Sequence, residues 1–205
     1  MNVSIPGVRV GQPIACGGVA VFPLYSERSL LADGDSTSGY ALAHEAMAAG
    51  TVVVREVCEL GSVSELLVDN SGDEPVLFLE GEEMKGAKQN RILRSSVLVA
   101  GRSRTRIPVA CVEKGRWRYV SRKFRSGSCC PPTLRHLLKG GSPGGGCDQT
   151  RMWAEIRHRH RRLGVRSRSA NLSDALDTHR GALEDLRHSL PCPEGASGIT
   201  VALDG

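Results

Sequence analysis

The chain has 205 residues, 40% of them apolar and only 4% aromatic, and its net charge of +5 comes from 22 Arg and 5 Lys set against 22 acidic residues. That length fits one domain, or one domain with an appendage, and folding it buries roughly 70% of the surface exposed by the unfolded chain, which excludes a miniature fold dependent on a staple. No apolar run approaches about 18 residues and the start, MNVSIPGVRV, lacks the basic and apolar regions of a signal peptide, so neither a spanning helix nor a membrane partner is expected. Seven cysteines, an odd number, read as reduced thiols in a cytoplasmic protein. A pI near 9 favours an acidic or phosphate-bearing partner, although coding bias produces arginine-rich chains too.

In chain order, residues 1–13 read as a loose leader, and 14–24 as a strand with a bulge at Gly17-Gly18 and an edge position at Pro23. Residues 32–39 form a loop. A short helix over 40–49 is capped by Ser38 and ended by Gly50. Strands follow at Thr51–Val57, Val63–Val68, Val76–Leu79, Arg91–Val99, Ile107–Val112 and 117–121, their short connections favouring an antiparallel sheet. Residues 125–149 read as a flexible Gly/Ser/Pro/Cys loop region with a short helix at 132–139. Residues 149–163 place Met152, Trp153, Ile156, His160 and Leu163 on one helical side. Residues 173–190 place leucines and His179 at alternating spacings of four and three, with Ser173 as cap and Pro191 as stop. The expectation is a single α+β domain over 1–205: a mainly antiparallel sheet in the N-terminal two-thirds, with amphipathic helices from the C-terminal third on one face. The last strand, Gly198–Leu203, runs into Asp204-Gly205. Either this begins a hairpin whose returning strand lies beyond the chain given, or it is a polar end.

The segment that draws chemical attention is Glu80–Arg91, EGEEMKGAKQNR, entered directly from the apolar run at 76–79. Twelve residues hold three carboxylates, three cations, two amides and two glycines. Strand alternation puts Glu80 and Glu82 on one face and Glu83 on the other. Paired carboxylates suit a poised acid or base, or a hard cation such as Mg²⁺. Gly81 and Gly86 allow positive φ or close approach of a ligand. Lys85, Lys88 and Arg91 suit phosphate or carboxylate. A polar hairpin with internal pairs, Glu82 to Lys88 for example, accounts for the same composition.

A second stretch, PVACVEKGRW, offers Glu113 as a third carboxylate if its strand neighbours the first, Cys111 as a nucleophile or a small core residue, and Trp117 with Tyr119 as stacking or rim groups. No C-x-x-C or H-E-x-x-H spacing occurs, so no metal ligands are assigned. Arg157, Arg159, Arg161 and Arg162, with Arg166 and Arg168 beyond them, form a basic run suited to nucleic acid or to a solvated helix face.

VLFLEGEEMKGAKQNRILRSSVLV, then IPVACVEKGRW, the helix bearing Trp153 and the closing GITVALDG together resemble the ARG-and-rhodanese-phosphatase-superfamily-associated protein domain family, over roughly residues 14–205. The resemblance implies an α+β domain with a role near ADP-ribose or nucleotide metabolism. It marks Glu80, Glu82, Glu83, Gly86, Lys88, Gln89, Asn90, Arg91, Glu113 and Trp117 as family-like positions. The functional expectation is the binding or processing of a phosphate-bearing nucleotide such as ADP-ribose. Glu82 or Glu83, with Glu80 and Glu113, would supply acid–base groups. Lys88 and Arg91, with Lys85, would hold phosphates at Gly86, while Gln89, Asn90 and Trp117 orient a sugar or base. The alternative is a non-catalytic module that binds nucleic acid or a partner protein through the basic helix or an exposed strand edge.

Overall fold

The computed structural model describes residues 7–26, 39–139 and 147–204. The Ser38 cap, most of the expected loop at 32–39 and the glycine run at 140–146 lie outside them. The chain divides into two compact units, residues 37–178 and residues 1–36 with 179–205.

The smaller unit begins within the expected leader, where Val8–Val10 (β1) is already a strand; Ile14–Cys16 (β2) and Val19–Ser26 (β3) follow. β1 and β2 both pair antiparallel with β3. β3 is the centre of this small sheet, not an edge, and Pro23, which has no N–H to donate, lends its carbonyl to the Gly11 amide at 2.8 Å.

The larger unit opens with Ala41–Leu42 (β4) and Ala43–Ala48 (α1), the latter ended as expected at Gly50, with φ +77. Val52–Glu56 (β5), Glu65–Asn70 (β6), Val76–Phe78 (β7), Glu82–Gly86 (β8), Arg91–Leu93 (β9), Val97–Val99 (β10), Ser103–Cys111 (β11) and Phe124–Cys129 (β12) come next. Six of these form one antiparallel sheet in the order β12-β8-β9-β11-β6-β5, and β10-β7-β4 form a second, with β4 parallel to β7. The expected strand over 91–99 is therefore two strands in different sheets. The expected strand at 117–121 is irregular: Arg118 and Val120 donate to the carbonyls of Lys88 and Ala87, but Trp117 and Val120 remain exposed, so no core face holds the segment straight.

Pro132–Leu138 (α2), Gln149–Arg162 (α3) and Leu172–Thr178 (α4) complete the larger unit. The period of two along β9 and β11 divides the core cleanly. Leu93 and Val109 face a cluster with Val54, Leu66, Phe78 and α1. Their neighbours Ile92 and Ala110 face a cluster with Leu134, Met152, Ile156 and Leu172 from the three helices. Burying such a side chain is worth about 1.5–3 kcal/mol, which is why the C-terminal helices settle on that face. Residues 173–190 are not one helix: α4 ends at Thr178, and Arg180–Ser189 (α5), which buries no residue, belongs to the smaller unit with Gly198–Leu203 (β13), paired along β3. The architecture is α+β, all seven cysteines are free, and no helix among the described residues is long and apolar enough to cross a membrane.

Candidate functional site

β8 and β9 form a hairpin, pairing Glu83 with Ile92 and Met84 with Arg91, and its turn spans the centre of the expected motif. Gly86 has φ +124, and a Cβ there would lie 2.6 Å from Ser121 Oγ and 3.0 Å from the Lys123 carbonyl. Only glycine meets both demands. Ala87 follows at φ +39, a conformation that costs a non-glycine residue about 1–3 kcal/mol and persists only where the surroundings over-determine it.

They do so from every side. The Gly86 amide donates to Asn90 Oδ1 (2.9 Å), Ala87 to Ser121 Oγ (2.9 Å), Lys88 to Glu56 Oε1 (3.3 Å) and Asn90 to Glu113 Oε2 (3.1 Å). Arg116 donates to the Ala87 carbonyl (2.7 Å), the Gly86 carbonyl (3.2 Å) and Asn90 Oδ1 (3.0 Å). It is itself held by Glu113, Nε to Oε2 at 2.9 Å and Nη2 to Oε2 at 2.6 Å. Burial pushes the Glu113 carboxyl up, but hydrogen bonds from Arg116, Ser169 and the Asn90 amide outweigh it and hold it below the ordinary range. Gln89 donates to the Glu113 carbonyl, and Asn90 Nδ2 to Asn171 Oδ1 at 3.1 Å. Both amides are buried and engaged within the protein.

The carboxylates do not form the expected cluster. Gly81, at φ +83, interrupts the alternation before β8 begins, so Glu80 lies outside the strand, 3.7 Å from Lys139 Nζ. Glu82 turns back to accept from the Leu79 amide at 3.0 Å; burial raises its pKa against the opposing effects of that bond and of His44. Glu113 lies on a chain separated from β8 by β9. Among the described residues no three His, Cys, Asp or Glu side chains are grouped closely enough to hold a metal ion, so a cation such as Mg²⁺ finds no preformed ligand set there. Cys111 is buried and donates to the Glu113 carbonyl. Burial raises its pKa, the opposite of what a thiolate nucleophile needs.

One face of the β8–β12 pair borders a cleft. Glu83 is almost wholly buried, accepts at Oε1 from Ser173 Oγ, and leaves Oε2 without a hydrogen bond, 3.6 Å from Lys85 Nζ. Burial raises its pKa, opposed by Ser173 and Lys85. Lys85 also stands 4.0 Å from Asp177. Directly across the pair from Lys85 is Arg125, and like charges in that relation repel. Arg125 and Lys123 are exposed and make no ion pair among the described residues. Gly127 leaves space for Glu83, because a Cβ there would meet Oε2 at 2.9 Å. A cleft of about 340 Å³ lies over this face, bordered by Lys85, Asn90, Lys123, Arg125, Asn171 and Ser173. A second hollow of about 420 Å³, with His44, Met47 and Val52 in its lining, shares Lys123 and Arg125 with the first.

The model of the ARG and Rhodanese-Phosphatase-superfamily-associated Protein domain, ARPP-1, matches residues 7–205. The chain belongs to this family. No curated protein and no solved structure matches it significantly.

In this ARPP-1 domain the remaining motif cations face elsewhere. Arg91 is fully buried and donates to the carbonyls of Val63 and Ser62, both at 3.1 Å, with its guanidinium 5.2 Å from the Trp117 ring centre. Lys88 lies over the Trp117 and Tyr119 rings, at 5.6 and 5.0 Å, which places Trp117 beside cations rather than at the cleft. Of the expected residues, the structure brings Lys85, Gly86 and Asn90 to the cleft and Glu83 beneath it; Glu80, Glu82, Lys88, Gln89, Arg91, Glu113 and Trp117 do not border it. Sequence reasoning missed Ser121, Lys123, Arg125, Asn171, Ser173 and Asp177 as cleft residues, and Arg116 as the clamp. A signal existed for two of them: Lys123-Phe124-Arg125-Ser126-Gly127 alternates cation, apolar, cation, polar, glycine, the pattern of a strand with one charged face.

Proposed function

We propose that this domain binds a phosphate-bearing nucleotide of the ADP-ribose class across the two hollows, with the phosphates over Lys123 and Arg125. The observation that carries the reading is the like-charge pair of Lys85 and Arg125 on neighbouring strands. Facing cationic side chains repel, and an anion between them removes that repulsion. Arg125 and Lys123 have no carboxylate partner among the described residues, whereas Arg104, Arg106 and Arg122 of the same unit do. Each hollow is at the small end of the roughly 300–1,000 Å³ range of ligand pockets. A diphosphate joining two small groups therefore suits the pair better than either hollow alone. The hollow beside α1 includes Met47, Ala48 and Val52 and suits the base. The polar cleft, with Lys85 and the Ser173 hydroxyl on its border, suits a sugar.

The chemistry available beyond binding is proton transfer. Ser173 borders the cleft and donates to Glu83, so the buried carboxylate is reached from the ligand through one hydroxyl. Burial raises the Glu83 pKa, which makes it a weaker acid than an exposed carboxylate and a stronger base once ionised. No step is routed through a divalent cation, since no ligand set for one is present among the described residues.

Calorimetric titration with ADP-ribose, ADP, AMP and ribose 5-phosphate tests the reading. Diphosphates should bind more tightly than monophosphates. An absence of binding by all four, or equal binding by mono- and diphosphates, overturns it.

A further inference from the structure

We infer that the end of α3 and the loop after it form a second, separate anion site, built to bind the phosphate backbone of a nucleic acid. Arg157, Arg161, Arg166 and Arg168, with His160 and Val165, border a hollow of about 640 Å³ whose lining contains no carboxylate. All four arginines are exposed. Among the described residues none of them makes an ion pair, whereas Arg55, Arg102, Arg104, Arg106, Arg116, Arg122, Arg151 and Arg159 all do. The four share one hollow, with no carboxylate in its lining to compensate them.

The membership differs from that expected of the basic run. Arg159 turns away to Glu155, at 3.8 Å, and to Thr133, at 2.9 Å. Arg162 does not border the hollow, whereas Arg157, Arg161, Arg166 and Arg168 of the expected set do. The helix dipole draws cations to a helix C-terminus. That accounts for Arg161 and Arg162 in the last turn, but not for Arg166 and Arg168, which lie beyond the helix.

The frame is fixed before any ligand arrives. The Val165 amide donates to the His160 carbonyl at 2.9 Å, and Gly164, at φ +64, turns the chain back. His160 Nε2 meets the Asn171 carbonyl at 2.9 Å, the Asn171 amide donates to Ser167 Oγ at 2.9 Å, and the Gly115 amide donates to the Ser169 carbonyl at 2.7 Å. The loop is thus tied at its start, middle and end, and it holds its two arginines against the helix.

Four guanidiniums around one hollow exceed what a single phosphate neutralises and match a run of them. The lining has no Phe, Tyr or Trp, and its His160 is buried and bound to the Asn171 carbonyl, so the contact is with backbone phosphates rather than stacked bases. Such binding is independent of sequence and depends strongly on salt.

The test is fluorescence anisotropy of a duplex oligonucleotide with the full chain, between about 50 and 200 mM salt, comparing the wild type with an Arg161→Gln/Arg166→Gln/Arg168→Gln variant. The slope of log K against log salt should fall by about 2 to 3, near 0.9 for each phosphate no longer neutralised. The corresponding triple Lys variant should keep the wild-type slope. An Arg102→Gln/Arg106→Gln variant, altered at paired arginines elsewhere, should also keep it. All variants should melt with the wild type by circular dichroism, since these side chains are exposed. Wild-type protein that does not bind the duplex, or a Gln variant with an unchanged slope, overturns the inference.

Discussion

Two neighbouring stretches of the larger unit invite comparison: the turn at Gly86–Asn90 and the strand segment Lys123–Arg125 that pairs alongside it, Phe124 opposite Gly86. The turn holds the residues that look most chemical in the sequence, yet its amides and carbonyls are engaged by Glu56, Glu113, Arg116 and Ser121. The strand segment looks like the edge of a disordered region, yet it presents exposed cations without an ion pair among the described residues. A polar residue satisfied inside the protein has little left to offer a ligand. A charged residue left unpaired at a cleft has most of its capacity to spare. The comparison teaches that the conspicuous motif builds the frame; in the proposed function its plainer neighbour meets the ligand.

The comparison breaks most readily at Arg116. Arg116→Ala leaves Glu113 buried without its cation, and losing one member of such a pair costs about 3–5 kcal/mol. Urea unfolding should register that loss, while a change below about 1 kcal/mol would mean that the clamp is not structural. Next is Gly86→Ala. With φ at +124 and a close approach of 2.6 Å, it should destabilise by about 1–3 kcal/mol, measured in the same way. A neutral result would show that the turn adapts.

Glu83→Gln sharpens the comparison through pH. The folded-state pKa of Glu83 is raised by burial, so the folded protein binds its proton more tightly than the unfolded chain does. Wild-type stability then falls as pH rises from the ordinary carboxylate value through the raised one. Gln keeps an acceptor for Ser173 and cannot ionise. The variant should therefore be the more stable at neutral pH and should lack that part of the decline. Melting temperatures across the weakly acidic range check this, and a variant less stable than wild type at neutral pH contradicts it. The smallest effect on folding is expected at the rim: Lys123→Gln/Arg125→Gln should alter stability by no more than about 0.5 kcal/mol, as for exposed positions free of special interactions.

Much of the frame was legible in the sequence because it obeys simple periods. The β-branched run at Val52–Glu56 and the amphipathic pattern of Gln149–Arg162, with Met152, Ile156 and His160 inward, are where periodicity places them. Glu80 was misplaced because one glycine with positive φ resets an alternation that strand periodicity takes as continuous. β12 went unread because Gly127, the two prolines and the cysteine pair resemble a loop, and only the tertiary fold reveals that Gly127 makes room for Glu83. Ser173, expected as a helix cap, instead lies within α4, its amide donating to Asn171 Oδ1 at 3.3 Å and its hydroxyl to Glu83, 90 residues away; no local pattern encodes that meeting. The family resemblance agrees with the match over residues 7–205 but said nothing of which motif residues face inward.

The central claim, that the rim binds what the motif frames, is tested most directly by calorimetric titration of ADP-ribose into the wild type and into Lys123→Gln/Arg125→Gln. The account predicts binding to the wild type and at least tenfold weaker binding to the variant, about 1.4 kcal/mol, with its melting temperature unchanged. Equal affinity in the two folded proteins would contradict it.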